Sequence, residues 1–313
     1  MRAPQVSPAA FRRLALVNVV LLVAIIVSGA VVRLTASGLG CADWPNCNET
    51  TFVDVSTGHS AIEQVNRLFS GLIGVPVLLA LVAAYLLRPR RRDLVRLSWL
   101  VLVLLLANAV LGGISVMVKL AWVSVMGHFL LAIALVGVAL LVHRRARTDA
   151  TVVRRVVSSR AVFLARAIYV VTIAVLVLGT LVTAAGPHGG DDEAKRLGWP
   201  LGDVARVHGI VVDVLVALVL VFIVVLVRDG APRRVRSMAV VAVGVMAAQA
   251  VLGYVQYFDQ IPALLVGFHV FGATMVFVAV QLLYFSMYEP VDASGAPGTP
   301  DASAPGTVLP VPG

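Results

Sequence analysis

Of the 313 residues, 60% are hydrophobic and only 13% are charged, about half the charged share of a soluble domain. That excludes a water-soluble globular fold and points to lipid as the main solvent. The net charge of +9 would suggest nucleic acid in a soluble protein. Here the cations collect in loops between apolar runs, and no nucleic-acid partner is expected.

Apolar runs fall at 14–33, 62–87, 95–117, 124–143, 163–185, 204–227, 237–257 and 263–286. Each is long enough to cross a bilayer as a helix. The expected fold is therefore an all-α polytopic membrane protein of eight transmembrane helices. The first run follows Arg12 and Arg13 without a clean small-residue cleavage pattern, so it reads as a retained helix. An even number of spans puts both termini on one side. Nineteen of the 25 basic residues lie on that side: Arg2, Arg12 and Arg13, then arginines around 88–96, 144–166 and 228–236. That side is expected to be cytoplasmic, at the plasma membrane. The tail after Glu289, rich in Pro, Gly, Ala and Ser, is expected to lack structure.

An internal repeat divides the chain. Asn108-Ala-Val-Leu-Gly112 in the third run matches Gln249-Ala-Val-Leu-Gly253 in the seventh, and His128 and His269 each follow the amide by twenty residues. Asn66 aligns with His208. Four helices per half imply two parallel bundles related by an axis along the membrane normal. The expected parts are an N-terminus over 1–13, a first half over 14–143 with an outer loop at 34–61, a basic linker over 144–162, a second half over 163–286 and a tail over 287–313.

His208 and His269 each lie near the start of a helix running inward from the outer face, at similar depth. Two neutral imidazoles from different helices can ligate one haem iron axially. They could instead be packed, hydrogen-bonded histidines. His128 lies at the same depth in the first half, but its counterpart is Asn66, and an amide is a poor iron ligand. One half is thus expected to hold a permanent cofactor and the other something exchangeable. Glu63 lies one turn before Asn66, on the same face, with Arg67 following. A carboxylate at a lipid boundary is costly and tends to be functional; a solvated residue at a helix start is the plainer reading. Cys41 and Cys47 share one outer loop, where a disulfide, structural or redox-active, is expected. His59, His143 and His188 read as surface histidines. Arg33, Arg67 and Arg206 read either as partners of haem propionates or as snorkelling anchors.

Taken together, Gly38-Leu-Gly-Cys-Ala-Asp-Trp-Pro-Asn-Cys47, Glu63-Gln-Val-Asn-Arg67, and His128, His208 and His269 at outer helix ends resemble the haem A synthase family over about residues 14–286. The resemblance implies oxidation of the C8 methyl of haem O to the formyl group of haem A for terminal oxidases. It implies haem b held by His208 and His269, and substrate haem received in the first half at His128. Glu63 would be the catalytic group, beside Asn66 and Arg67. The family pattern has histidine where this chain has Asn66, which leaves His128 as the one strong ligand of the substrate. The cysteine pair matches a family disulfide. Implied partners are the bilayer, a farnesyltransferase supplying haem O, a redox donor or acceptor, and further copies of the chain. A b-type cytochrome exchanging electrons with a quinone would explain His208 and His269, but not Glu63 or the cysteine loop. A two-halved transporter would place its polar residues near the bilayer midplane instead.

Overall fold

A computed structural model describes residues 5–148, 152–291 and 308–310. Eight helices long and apolar enough to cross a membrane follow in order: α1 (Pro8–Leu34), α2 (Gly58–Leu86), α3 (Arg92–Met117), α4 (Trp122–Arg145), α5 (Ser159–Ala185), α6 (Leu201–Arg228), α7 (Arg233–Phe258) and α8 (Ala263–Ser286). This fits a multi-pass membrane protein. Most helices begin a few residues before their apolar runs, and three of them, α1, α2 and α5, are capped there by side chains. Ser7 accepts from the Ala10 N–H and Ser158 from the Ala161 N–H. Thr57 and Ser60 form a reciprocal capping box at the start of α2. Such bonds satisfy amides that the helix itself leaves free.

The helices pack as two rings. In the first, neighbours are α1–α2, α2–α3, α3–α4 and α4–α1; in the second, α5–α6, α6–α7, α7–α8 and α8–α5. Helices α2 and α4 are diagonal and not in contact, as are α6 and α8. The rings meet through α1–α8, α4–α5 and α4–α8. Lipid supplies no hydrophobic drive between helices, so association relies on close approach and polar bonds. Ala84, Ala139, Ala161 and Ala242 are fully buried accordingly. The Gln281 amide donates to the Gly137 carbonyl at 2.8 Å and joins α8 to α4.

Packing is uneven along the axis. Beyond Val204, the buried residues of α6 run from Leu215 to Leu226. Those of α7 end at Met246, and those of α4 begin at Ala132. Both cores therefore lie toward the end bearing the termini and the arginine-rich linkers, here the basic end. At the opposite end, the loop end, the ring interiors are looser.

Two expectations at the basic end change. The linker carries strand β1 (Val152–Arg155), and the segment expected to be structureless contributes β2 (Tyr288–Val291) and β3 (Val308–Pro310). They form one sheet in the order β2-β1-β3, with Arg155 opposite Tyr288 and Val152 opposite Val291. Arg144 and Arg234 donate to the carbonyls of Tyr288 and Ser286 at 3.0 and 2.8 Å. Composition hides this, because the sheet is long-range and held by arginine bonds to backbone rather than by an apolar run. The expectation for 292–307 and 311–313 lies outside the described residues.

Candidate functional site

Glu63 is 4% exposed. Its Oε2 accepts from the Cys41 N–H at 2.7 Å, and its Oε1 from Arg67 Nε and Nη2 at 3.0 and 2.6 Å. Arg67 Nη1 donates to the carbonyls of Asp43 and Asn46 at 2.9 and 3.0 Å. All these backbone groups lie within or at the edge of the loop closed by the Cys41–Cys47 disulfide, whose sulfurs are buried with their residues. The 34–61 loop thus grips one carboxylate–guanidinium pair on the first turns of α2. Each contact to Glu63 favours its ionised form. A buried disulfide in this position holds the loop around the pair, out of reach of exchange partners.

The histidines follow one packing rule. His128 and His269 each lie six residues into α4 and α8, and His208 seven into α6. Each imidazole rests on a glycine of the preceding helix. A Cβ on Gly112 would fall 2.9 Å from His128 Cε1, on Gly179 3.4 Å from His208 Cε1, and on Gly253 3.1 Å from His269 Cε1. The Asn-Ala-Val-Leu-Gly and Gln-Ala-Val-Leu-Gly segments acquire a physical meaning here. Their glycines seat the imidazoles and their amide residues bond to the same helices. His128 Nδ1 lies 3.1 Å from the Asn108 carbonyl, and Gln249 Nε2 donates to the His269 carbonyl at 2.9 Å. His208 and His269 lie on diagonal helices and within electrostatic range of each other.

Asn66 takes the place of a histidine, and its neighbour changes with it. Counted back from the ends of α1 and α5, Ser28 and Gly179 stand equally far, six residues from Leu34 and Ala185. Ser28 Oγ donates to Asn66 Oδ1 at 2.8 Å, which leaves the Asn66 NH2 as a donor. Where the second ring has glycine beside imidazole, the first has serine beside amide. Sequence reasoning missed Ser28, because its signal is only visible once α1 and α5 are aligned by their ends.

The residues fit a haem between α6 and α8 on two observations. The Nδ1 of His269 is enclosed without a partner and the His208 ring meets the Val175 backbone, while each ring as a whole is only half-buried. The open edge of each imidazole is therefore the side away from that enclosure or contact. The ring interior between these helices is also loosely packed at the loop end. Among the described residues, no group of three or more His, Cys, Asp or Glu side chains gathers to hold a bare metal ion. A haem needs only axial donors, because the porphyrin supplies the rest.

Of the other histidines, two contact backbone carbonyls and one a hydroxyl. His59 Nδ1 is 3.0 Å from the buried Ser37 hydroxyl, His188 Nε2 2.8 Å from the Ile261 carbonyl, and His143 Nδ1 3.2 Å from the Arg12 carbonyl. Arg33 Nη1 donates to the His188 carbonyl at 2.9 Å. Arg67 is committed to Glu63 and the loop, and Arg206 is exposed 4.0 Å from Asp203. The loop between α5 and α6 also crosses to the first ring, which the sequence did not reveal. The Gly38 N–H donates to the Gly190 carbonyl at 2.8 Å, and Lys119 pairs with Glu193 at 2.5 Å. This pairing raises the Lys119 pKa and lowers that of Glu193.

Fold and site define a multi-pass helical membrane protein of two four-helix rings. One ring carries a buried carboxylate–guanidinium pair at its loop end, the other an imidazole on each of two diagonal helices. The chain belongs to the COX15-CtaA family of cytochrome oxidase assembly proteins, whose pattern matches residues 12–187. That segment includes Cys41, Cys47, Glu63, Asn66, Arg67 and His128, and ends before His208 and His269. The chain is similar to heme A synthase of Lysinibacillus sphaericus, with 32% identity over 110 residues, 35% of this chain and 34% of that protein. It is similar to heme A synthase of Shewanella oneidensis, with 28% identity over 160 residues, 46% of each chain. A third similarity is to heme A synthase of Geobacillus kaustophilus, 40% identical over 62 residues, 20% of each chain. The chain thus matches less than half the length of each of these relatives.

Proposed function

We propose that this protein is a haem A synthase, an oxidoreductase that converts the C8 methyl of haem O to the formyl group of haem A for terminal oxidase assembly. The observation that carries the reading is the Glu63–Arg67 pair. A buried carboxylate is fixed by three hydrogen bonds, one turn from Asn66, in the ring that the family pattern covers. A purely structural ion pair would not need to sit beside an open ring interior.

Haem O enters the first ring from lipid at its loop end, and His128 ligates the iron. The Nδ1 contact to the Asn108 carbonyl fixes the tautomer in which Nε2 is the free donor. Asn66 cannot replace a second imidazole, so the substrate keeps one strong protein ligand. The conversion replaces two hydrogens of the methyl carbon by one oxygen, through an alcohol and a hydrated aldehyde that loses water, and passes four electrons to an external oxidant, the redox partner of the protein. Glu63, fixed by Arg67 and the Cys41 amide, accepts protons released at that carbon and stabilises positive charge developing there. Arg67 and the disulfide loop position Glu63.

His208 and His269 would hold haem b, which would supply electron transfer there. The glycine seats at Gly179 and Gly253 orient the two rings. We place the basic end in the cytoplasm and the loop end outside, in the plasma membrane, from the distribution of arginine. A b-type cytochrome would use His208 and His269 equally, but would leave Glu63 and Arg67 without work.

Chromatography of pigment from cells making haem O tests the proposal. Glu63→Ala should accumulate haem O while retaining haem b. Normal haem A in that variant removes Glu63 from the chemistry.

A further inference from the structure

Helix α6 carries one acidic residue away from its ends, Asp213. It lies about 18 Å along the axis from Leu201 and about 22 Å from Arg228 at 1.5 Å per residue, the middle of a helix that crosses about 30 Å of hydrocarbon. The buried side of α6 is set by Val204, Leu215, Val219, Phe222 and Leu226. Asp213 follows Val204 by two and a half turns, about half a rotation away from that side, and it is exposed. His208, about one turn after Val204, belongs to the inner face, so Asp213 stands outside the proposed haem site. Among the described residues, no hydrogen bond or ion pair reaches its carboxylate. Its neighbours on the same face, Ile210, Leu220 and Val224, are exposed and apolar. A bare carboxylate facing lipid at this depth is strongly disfavoured, and such residues face a partner or a cavity.

We propose that this face of α6 docks a transmembrane helix of a partner protein, one presenting a lysine or arginine at mid-membrane depth to Asp213. Charge complementarity selects this occupant over a second copy of the chain. Arg33, Arg166 and Arg206 lie toward the ends of their spans, and Arg67, deeper in α2, is committed to Glu63 and the carbonyls of Asp43 and Asn46. A second copy therefore brings no free cation to the right depth. Symmetric α6–α6 contact would set Asp213 against Asp213, two like charges in lipid.

The test uses the full chain reconstituted in phosphatidylcholine vesicles with a synthetic Leu/Ala transmembrane helix of about 24 residues, carrying a single central lysine or a central leucine. Association is read by energy transfer between dyes on peptide and protein. The lysine helix should bind about tenfold more tightly than the leucine helix, and Asp213→Asn and Asp213→Leu should erase the difference. Asp213→Leu makes α6 more apolar, so failure to insert does not confound it. Equal binding of the two peptides, or a lysine preference that survives in Asp213→Leu, overturns the proposal. Self-association of the protein that depends on Asp213 also overturns it, by assigning the face to a second copy.

Discussion

If the cysteine loop and Glu63 are one mechanical unit, their coupling is measurable. Glu63→Gln keeps an oxygen that can accept from the Cys41 N–H, but it loses the charge-assisted bonds from Arg67 at 3.0 and 2.6 Å. Removing one partner of a buried pair costs about 3–5 kcal/mol. The Arg67 side chain is 16% exposed and keeps its bonds to the Asp43 and Asn46 carbonyls, so the lower value, about 3 kcal/mol, applies. Arg67→Met leaves the Glu63 carboxylate held by a single amide and frees two loop carbonyls, which costs about 4 kcal/mol. The double variant removes both charges. It should cost about 4 rather than about 7 kcal/mol, a coupling of about 3 kcal/mol. Reversible unfolding in mixed micelles, followed by circular dichroism, gives the four stabilities, and pigment chromatography on the same samples gives haem A formation. Additive costs would show that the pair does not lock the loop. The activity arm is sharper. A structural pair predicts that haem A formation falls in step with stability across the four proteins, whereas a catalytic Glu63 leaves Glu63→Gln and the double variant inactive at temperatures where both stay folded. Haem A formation that merely tracks the folded fraction would refute the mechanism proposed above.

Ser28→Gly with Asn66→His should give the first ring a second imidazole and convert its haem from high-spin to low-spin; an unchanged spectrum would show that residues 28 and 66 do not decide ligation. His208→Ala and His269→Ala should each remove the low-spin b-type spectrum of the second ring, measured in purified protein. Gly253→Ala places a methyl group 3.1 Å from His269 Cε1, tighter than the 3.4 Å at Gly179 beside His208, so it should lower haem b retention more than Gly179→Ala while helix content is unchanged. The Lys119–Glu193 latch holds the Glu193 pKa below its ordinary 4.5. Its contribution is complete above that pH and is lost as pH falls through the lowered value. A spin-label distance from the 119–120 turn to the 186–200 loop should therefore broaden only below about pH 4.5, and broadening near neutrality would contradict the pairing.

The eight spans were legible because lipid demands long apolar stretches, and a sequence cannot disguise one. Family membership was legible because Glu63, Arg67 and the cysteine loop sit at spacings that the fold needs. What stayed hidden depends on distance in space. Arg67 looks like a free cation in sequence, yet its donors go to Glu63, Asp43 and Asn46. The tail strands arise from pairing with β1 about 140 residues earlier, which composition does not encode. Ser28 is an unremarked hydroxyl until α1 lies against α2. Asp213 was readable as one acid in an apolar run, but only the buried face of α6 shows that it points outward.

The two rings explain how one packing plan can support two chemistries. Each ring fixes its helices near the basic end and leaves its interior loose at the loop end, where diagonal helices present the side chains that matter. In the second ring both diagonals offer imidazole, each seated on a glycine. In the first ring one diagonal offers His128 on Gly112, and the other offers Asn66 bound to Ser28. An amide there adds a fixed donor, while Glu63, one turn away, is held by a disulfide-closed loop; the loop between α5 and α6 carries no cysteine. The polar difference between the two rings then reduces to three local changes on α1, α2 and the loop joining them, with the remaining scaffold shared.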